Sequence, residues 1–148
     1  PVIDRHTPHY TNGTYLPPTI TTNQTLPTSA SPVILTGTTR VAPGITLTMA
    51  AGTKIYATEF ATLTIDGTLI TQGTAAKPVI FSTNEQHEAN QLWNGVVFGA
   101  GGHGDLRHTT IEYATPAVTC LKNSSVTGDH VHPKNTKRPA FSITDRCL

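Results

Sequence analysis

The chain has 148 residues, a net charge of +1, 36% hydrophobic and 13% charged residues, which excludes both a disordered polyampholyte and a membrane-embedded protein and fits one domain. No apolar run approaches the roughly 18 residues that a spanning helix needs, so no membrane insertion is expected. The one basic cluster, Lys134, Lys137 and Arg138, reads as a solvated loop, and nucleic acid is not an expected partner.

Threonine makes up roughly a fifth of the chain, beside 12 Gly and 11 Pro, a composition for short strands and frequent turns, hence an all-β fold. Residues 1–32 carry six prolines and little apolar periodicity, and read as an extended Pro/Thr-rich arm or cap. Within it, Thr19-Ile20-Thr21 and Gln24-Thr25-Leu26 can each pair as an edge strand, whereas 1–16 reads as arm or linker. From Val33 the pattern becomes short strands: Val33–Thr36, Ile45–Met49, Lys54–Ala57, Thr62–Ile65, Thr68–Ile70 and Val79–Phe81. Residues 33–148 are therefore assigned to a β-solenoid.

Laying Thr46-Leu47-Thr48-Met49 on Thr62-Leu63-Thr64-Ile65 gives an apparent repeat of about 16 residues. In each copy the aliphatic side chains point to one side and the threonines to the other. Antiparallel hairpins would explain this alternation, and so would stacked coils. The turns favour coils, because only Asp66-Gly67 carries a hairpin signal, while Ala42-Pro43-Gly44 and the stretch 73–78 suit the looser corners of a solenoid.

The segments Pro43-Gly44, Thr46-Leu47-Thr48, Gly67-Thr68, Pro78-Val79-Ile80-Phe81 and Trp93-Asn94-Gly95-Val96-Val97-Phe98, followed by the stretch from Gly104 to Ala114, resemble the exported bacterial right-handed parallel β-helix proteins of the surface or adhesin-like kind. The resemblance covers about residues 30 to 120. It implies a short right-handed parallel β-helix, and a range of roles from adhesin to accessory module of polysaccharide-active enzymes. Trp93 resembles the coil-start residue of that family, packed inward with Tyr56, Phe60, Phe81 and Phe98 as neighbours. Trp93 and Tyr56 are also the candidates for stacking on a glycan ring.

Cys120 and Cys147 are the two cysteines. A disulfide between them would close a loop of roughly 28 residues, worth about 3 kcal/mol in the chain-entropy model, and would staple the C-terminal part. Two unrelated buried thiols are the alternative. Oxidation implies export, and the start at Pro1 reads as that of a processed or excised product. The sequons give Asn12, Asn23 and Asn123 as possible glycosylation sites, and the expected location is secreted, extracellular or at the cell surface.

The sequence offers no catalytic constellation. Polysaccharide cleavage on a β-helix needs carboxylates aligned on adjacent coils, and Glu59, Asp66, Asp105, Glu112, Asp129 and Asp145 show no such spacing. The glycine-rich run 99–104 lacks the Lys-Ser/Thr of a phosphate loop. No cofactor or metal is expected. His130 and His132 come nearest to a metal site, since strand alternation puts both imidazoles on one side, with Asp129 turned to the other.

Two functions follow from these features. The first is a non-enzymatic structural or adhesive module, whose partner is another copy of itself or a cell-surface glycan, with open solenoid ends and an arm able to join subunits into a filament. The alternative is a polysaccharide-binding or polysaccharide-cleaving β-helix. Ice binding would need a regular ladder of outward threonines over more coils than two.

Overall fold

Alternating apolar and polar residues put one side of every strand inside, and parallel stacking sets like residues above one another. The computed structural model describes residues 14–83 and 92–136, and the backbone of 141–143. It is a right-handed β-solenoid of about five turns with three faces. The first face stacks β1 (Thr14–Tyr15), β4 (Val33–Leu35), β7 (Lys54–Ala57), β10 (Val79–Thr83) and the second half of β12 (His103–Glu112). The second stacks β2 (Thr19–Ile20), β5 (Thr38–Val41), β8 (Thr62–Ile65), β11 (Val96–Phe98), β13 (Val118–Cys120) and β15 (Phe141–Ile143). The third stacks β3 (Gln24–Leu26), β6 (Thr46–Met49), β9 (Thr68–Gln72), the first half of β12 and the first half of β14 (Ser125–Lys134). All strand pairings among the described residues are parallel, and β12 and β14 run unbroken around the corner between the third and first faces.

The stacking differs from the sequence reading in two respects. Thr46 pairs with Thr68, 22 residues further on, and Thr62 pairs with Thr38. The offset of 16 therefore compares the third face of one coil with the second face of the next; the stacking repeat is longer. The first turn of the solenoid also begins at Thr14, not at Val33: β1, β2 and β3 pair with β4, β5 and β6. Residues 1–13 of the expected arm lie outside the described residues.

The core is made of columns. Ile20, Val41, Ile65, Phe98 and Cys120 stand in register on the second face and are all buried. Each such aliphatic or aromatic side chain contributes about 1.5–3 kcal/mol on burial. Cys120 is not a free thiol, and the backbone of Ile143 is in register beyond it; Cys147 lies outside the described residues. Phe98 reaches across to the third face, where Gly104 makes room for it: a Cβ on Gly104 would lie 2.6 Å from the ring. Phe81 is buried as expected, whereas Phe60 is 69% exposed because it occupies a left-handed corner (φ 62°) outside the strand alternation.

The last turn has a defined edge. The Lys134 carbonyl accepts the Tyr113 N–H at 3.0 Å, so the peptide groups of Lys134 face β12. Alternation then turns those of Pro133 to the outer edge, where proline has no N–H to offer. Among the described residues, β14 pairs with β12 alone.

Candidate functional site

The outer side of the third face is where polar side chains accumulate. Thr46, Thr68, His103 and Ser125 form one column; Thr48, Ile70, Asp105 and Thr127 form the next; Gln72, Arg107 and Asp129 form a third. Strands lie about 4.8 Å apart, so these rows make a largely polar strip across three to four coils. His103 Nδ1 is 2.5 Å from Ser125 Oγ. Arg107 pairs with Asp105 at 3.4 Å and stands opposite Asp129, with side chains 63% and 40% exposed for Arg107 and Asp105.

Arg107 is held from beneath. Its N–H donates to Thr71 Oγ1 at 3.0 Å, and its carbonyl accepts from Thr109 Oγ1 at 3.0 Å. The two hydroxyl oxygens are 2.6 Å apart in the interior. Since the Thr109 hydroxyl donates to the carbonyl, that of Thr71 donates to Thr109, and the relay is satisfied throughout. The inward Thr71 and Thr109 thus fix the backbone that carries the exposed guanidinium.

Asp105 and Asp129 share this outer face on adjacent coils. Their arrangement was not legible as a sequence spacing, because the 24 positions between them amount to one full turn of 22 residues plus a step of two along the strand. Register places Asp105 over Thr127 and Arg107 over Asp129, so the carboxylates are diagonal neighbours with the guanidinium beside both. Asp66, by contrast, is engaged at another corner with Arg40.

The expected His130–His132 pair is corrected. His130 has φ 57°, a left-handed corner conformation that breaks strand alternation. Its ring stacks on that of His108, centroids 4.5 Å apart, while His132 is 6.5 Å away and edge-on. Asp129, expected on the opposite side, hydrogen-bonds His130 Nδ1 at 2.6 Å. His108 itself was missed by the sequence reading, although it too has positive φ (42°) and occupies the same corner one coil earlier.

The glycan-stacking reading of Trp93 is also corrected. Trp93 is fully buried, lies on Phe81 with ring centroids 6.0 Å apart, and donates its indole N–H to the Glu112 carbonyl at 2.8 Å. No ring face is left for a ligand. Tyr56 points outward on the first face, in the column of Tyr15 and Ile34, and is half-buried.

Of the sequon residues, Asn23 is exposed and its Oδ1 accepts the Thr46 N–H at 2.9 Å. Asn123 is exposed at a left-handed corner, and Asn12 lies outside the described residues. The outward threonine ladder that ice binding requires is interrupted by Arg40 and Val97 on the second face. No helix among the described residues is long and apolar enough to cross a membrane.

No match to the chain was found among curated proteins or among solved structures. The family model described as a pectate-lyase-like β-helix domain matches residues 18–119, from the residue before β2 to the middle of β13. Parallel coils, inward columns and the matched span agree, and the chain belongs to the pectate-lyase-like β-helix domain family.

Proposed function

We propose that this chain is a non-enzymatic, extracellular adhesive module that takes an extended glycan along the outer side of its third face. The observation that carries this reading is the polar strip centred on Arg107, in register across adjacent coils and anchored by the buried threonine relay. A guanidinium flanked by hydroxyls and carboxylates suits a chain of sugar hydroxyls bearing occasional carboxylates. Membership of the pectate-lyase-like family supports an acidic polysaccharide as ligand class. The extracellular location rests on the expected pairing of Cys120 with Cys147, since oxidised pairs persist there. Tyr56 offers a second contact, on a different face.

The outer edges of the described strands favour the adhesive half of the structural reading over the filament half. At one end β1 and β2 are two residues long, and at the other Pro133 removes a donor from the outer edge of β14. Both are devices that discourage strand addition.

Affinity electrophoresis in gels containing polygalacturonate tests the proposal. Wild type should be retarded and Arg107→Ala should run as in the gel without polymer; equal retardation of the two would sink it.

A cleaving module is the second reading, favoured by Asp105 and Asp129 on adjacent coils of one face. It expects new reducing ends or unsaturated products from polygalacturonate, lost in Asp105→Asn and Asp129→Asn. Binding without products would leave the adhesive reading standing alone.

A further inference from the structure

The corner between the third and first faces carries a side-chain cluster whose two histidines the glycan reading does not use. His108 and His130 occupy equivalent positions on adjacent coils: the flanking pairs Arg107–Asp129 and Thr109–Val131 are in register on either side of them. Both backbones are left-handed. In that conformation side chains of successive coils superimpose, which brings the two imidazoles face to face at 4.5 Å. Asp129 adds a carboxylate at 2.6 Å from His130 Nδ1. One ligand atom from each of His108, Asp129 and His130 lies within 4.8 Å of the other two.

We propose that His108, Asp129 and His130 form a binding site for a divalent transition-metal ion of the Zn²⁺ type. Two imidazole nitrogens and one carboxylate oxygen are the donor set such ions prefer. Bonds of about 2.0–2.2 Å in a tetrahedral site place two ligand atoms roughly 3.4 Å apart, so a rotation of these side chains closes the site. Such rotation is open to them, because His130 and Asp129 are 59% and 67% exposed. Exposure also leaves coordination positions for water or for a donor from a ligand. A hard ion such as Ca²⁺, which needs six or more oxygens, is not served by one carboxylate. His132, edge-on and further away, is not a ligand. The site spans two coils, and its Asp129 and His130 lie beyond the residues matched to the family model.

Isothermal titration of the full chain with ZnCl₂ tests this, using His→Asn variants because Asn tolerates the left-handed corner while losing the imidazole. Wild type should bind one ion per chain saturably and gain thermal stability on adding Zn²⁺. His108→Asn and His130→Asn should each weaken binding by about tenfold or more, and His132→Asn should bind as wild type. Circular dichroism of the metal-free variants should match wild type, so that loss of binding is read on a folded protein. Absence of binding by wild type, or wild-type affinity in a His108→Asn/His130→Asn double variant, would overturn the site. So would loss of binding in His132→Asn with His108→Asn unaffected. The outcome is independent of glycan retardation, which reports on Arg107.

Discussion

The hydroxyls of Thr71 and Thr109 meet 2.6 Å apart inside the solenoid, on different coils and different faces, and between them they satisfy both peptide groups of Arg107. Replacing Thr71 by Val keeps the shape and leaves the Arg107 N–H unsatisfied in a buried setting. The expected cost is about 1–3 kcal/mol in urea unfolding. Thr109→Val strands the Arg107 carbonyl and the Thr71 hydroxyl at similar cost. Because the two act as one relay, the double variant should lose less than the sum of the singles. Strict additivity would show that the relay does not exist in solution.

Gly104 and Phe98 are matched in size. A Cβ at 104 would sit 2.6 Å from the Phe98 ring and 3.2 Å from Val126, so Gly104→Ala overpacks the interior by an amount that typically costs about 1–3 kcal/mol. Shortening the ring relieves it: Gly104→Ala/Phe98→Leu should be more stable than Gly104→Ala alone. Denaturant midpoints of the four proteins decide, and a double variant no better than the single would place the strain elsewhere.

Much of the fold was legible because strand alternation is a local property. Leu47, Met49, Leu63 and Ile65 read as inward from neighbours alone and are fully buried. Stacking distance is not local: different faces carry similar Thr-Leu-Thr runs, so sequence similarity matches β6 to β8 when hydrogen bonds match β6 to β9. The threonine-rich opening likewise hid its first turn, since strands of two or three residues give too few apolar positions to show a period.

The candidate site was less legible for a related reason. Alternation predicts where side chains point only while φ stays negative, and His108 and His130 both leave that region. Asp105 and Asp129 share a face only through the register of two long strands. Trp93 was correctly expected to pack as a coil-start residue; its second role as a sugar platform fails because both the ring and its N–H are consumed inside.

Burial of Trp93 makes it a reporter of the fold rather than of the ligand. Its emission should be blue-shifted and resistant to acrylamide, and adding polygalacturonate should leave quenching unchanged even where retardation occurs. Trp93→Ala should destabilise by about 3–5 kcal/mol. Efficient quenching in the native protein would contradict the packing against Phe81.

The outer edge of β14 carries the last prediction. Peptide groups of Lys134 face inward to Tyr113, which turns Pro133 outward at a position where any other residue would present an N–H. Pro133 itself is in register with Ile111 and sits in a ten-residue strand, so an edge of ample length is blunted by one missing donor. Pro133→Thr restores the donor with a residue that favours strands. Sedimentation velocity over a range of concentrations should find the wild type monomeric and Pro133→Thr shifted toward larger species. A wild type that already forms fibres would mean that the proline does not protect this end, and the adhesive reading would give way to the filament one.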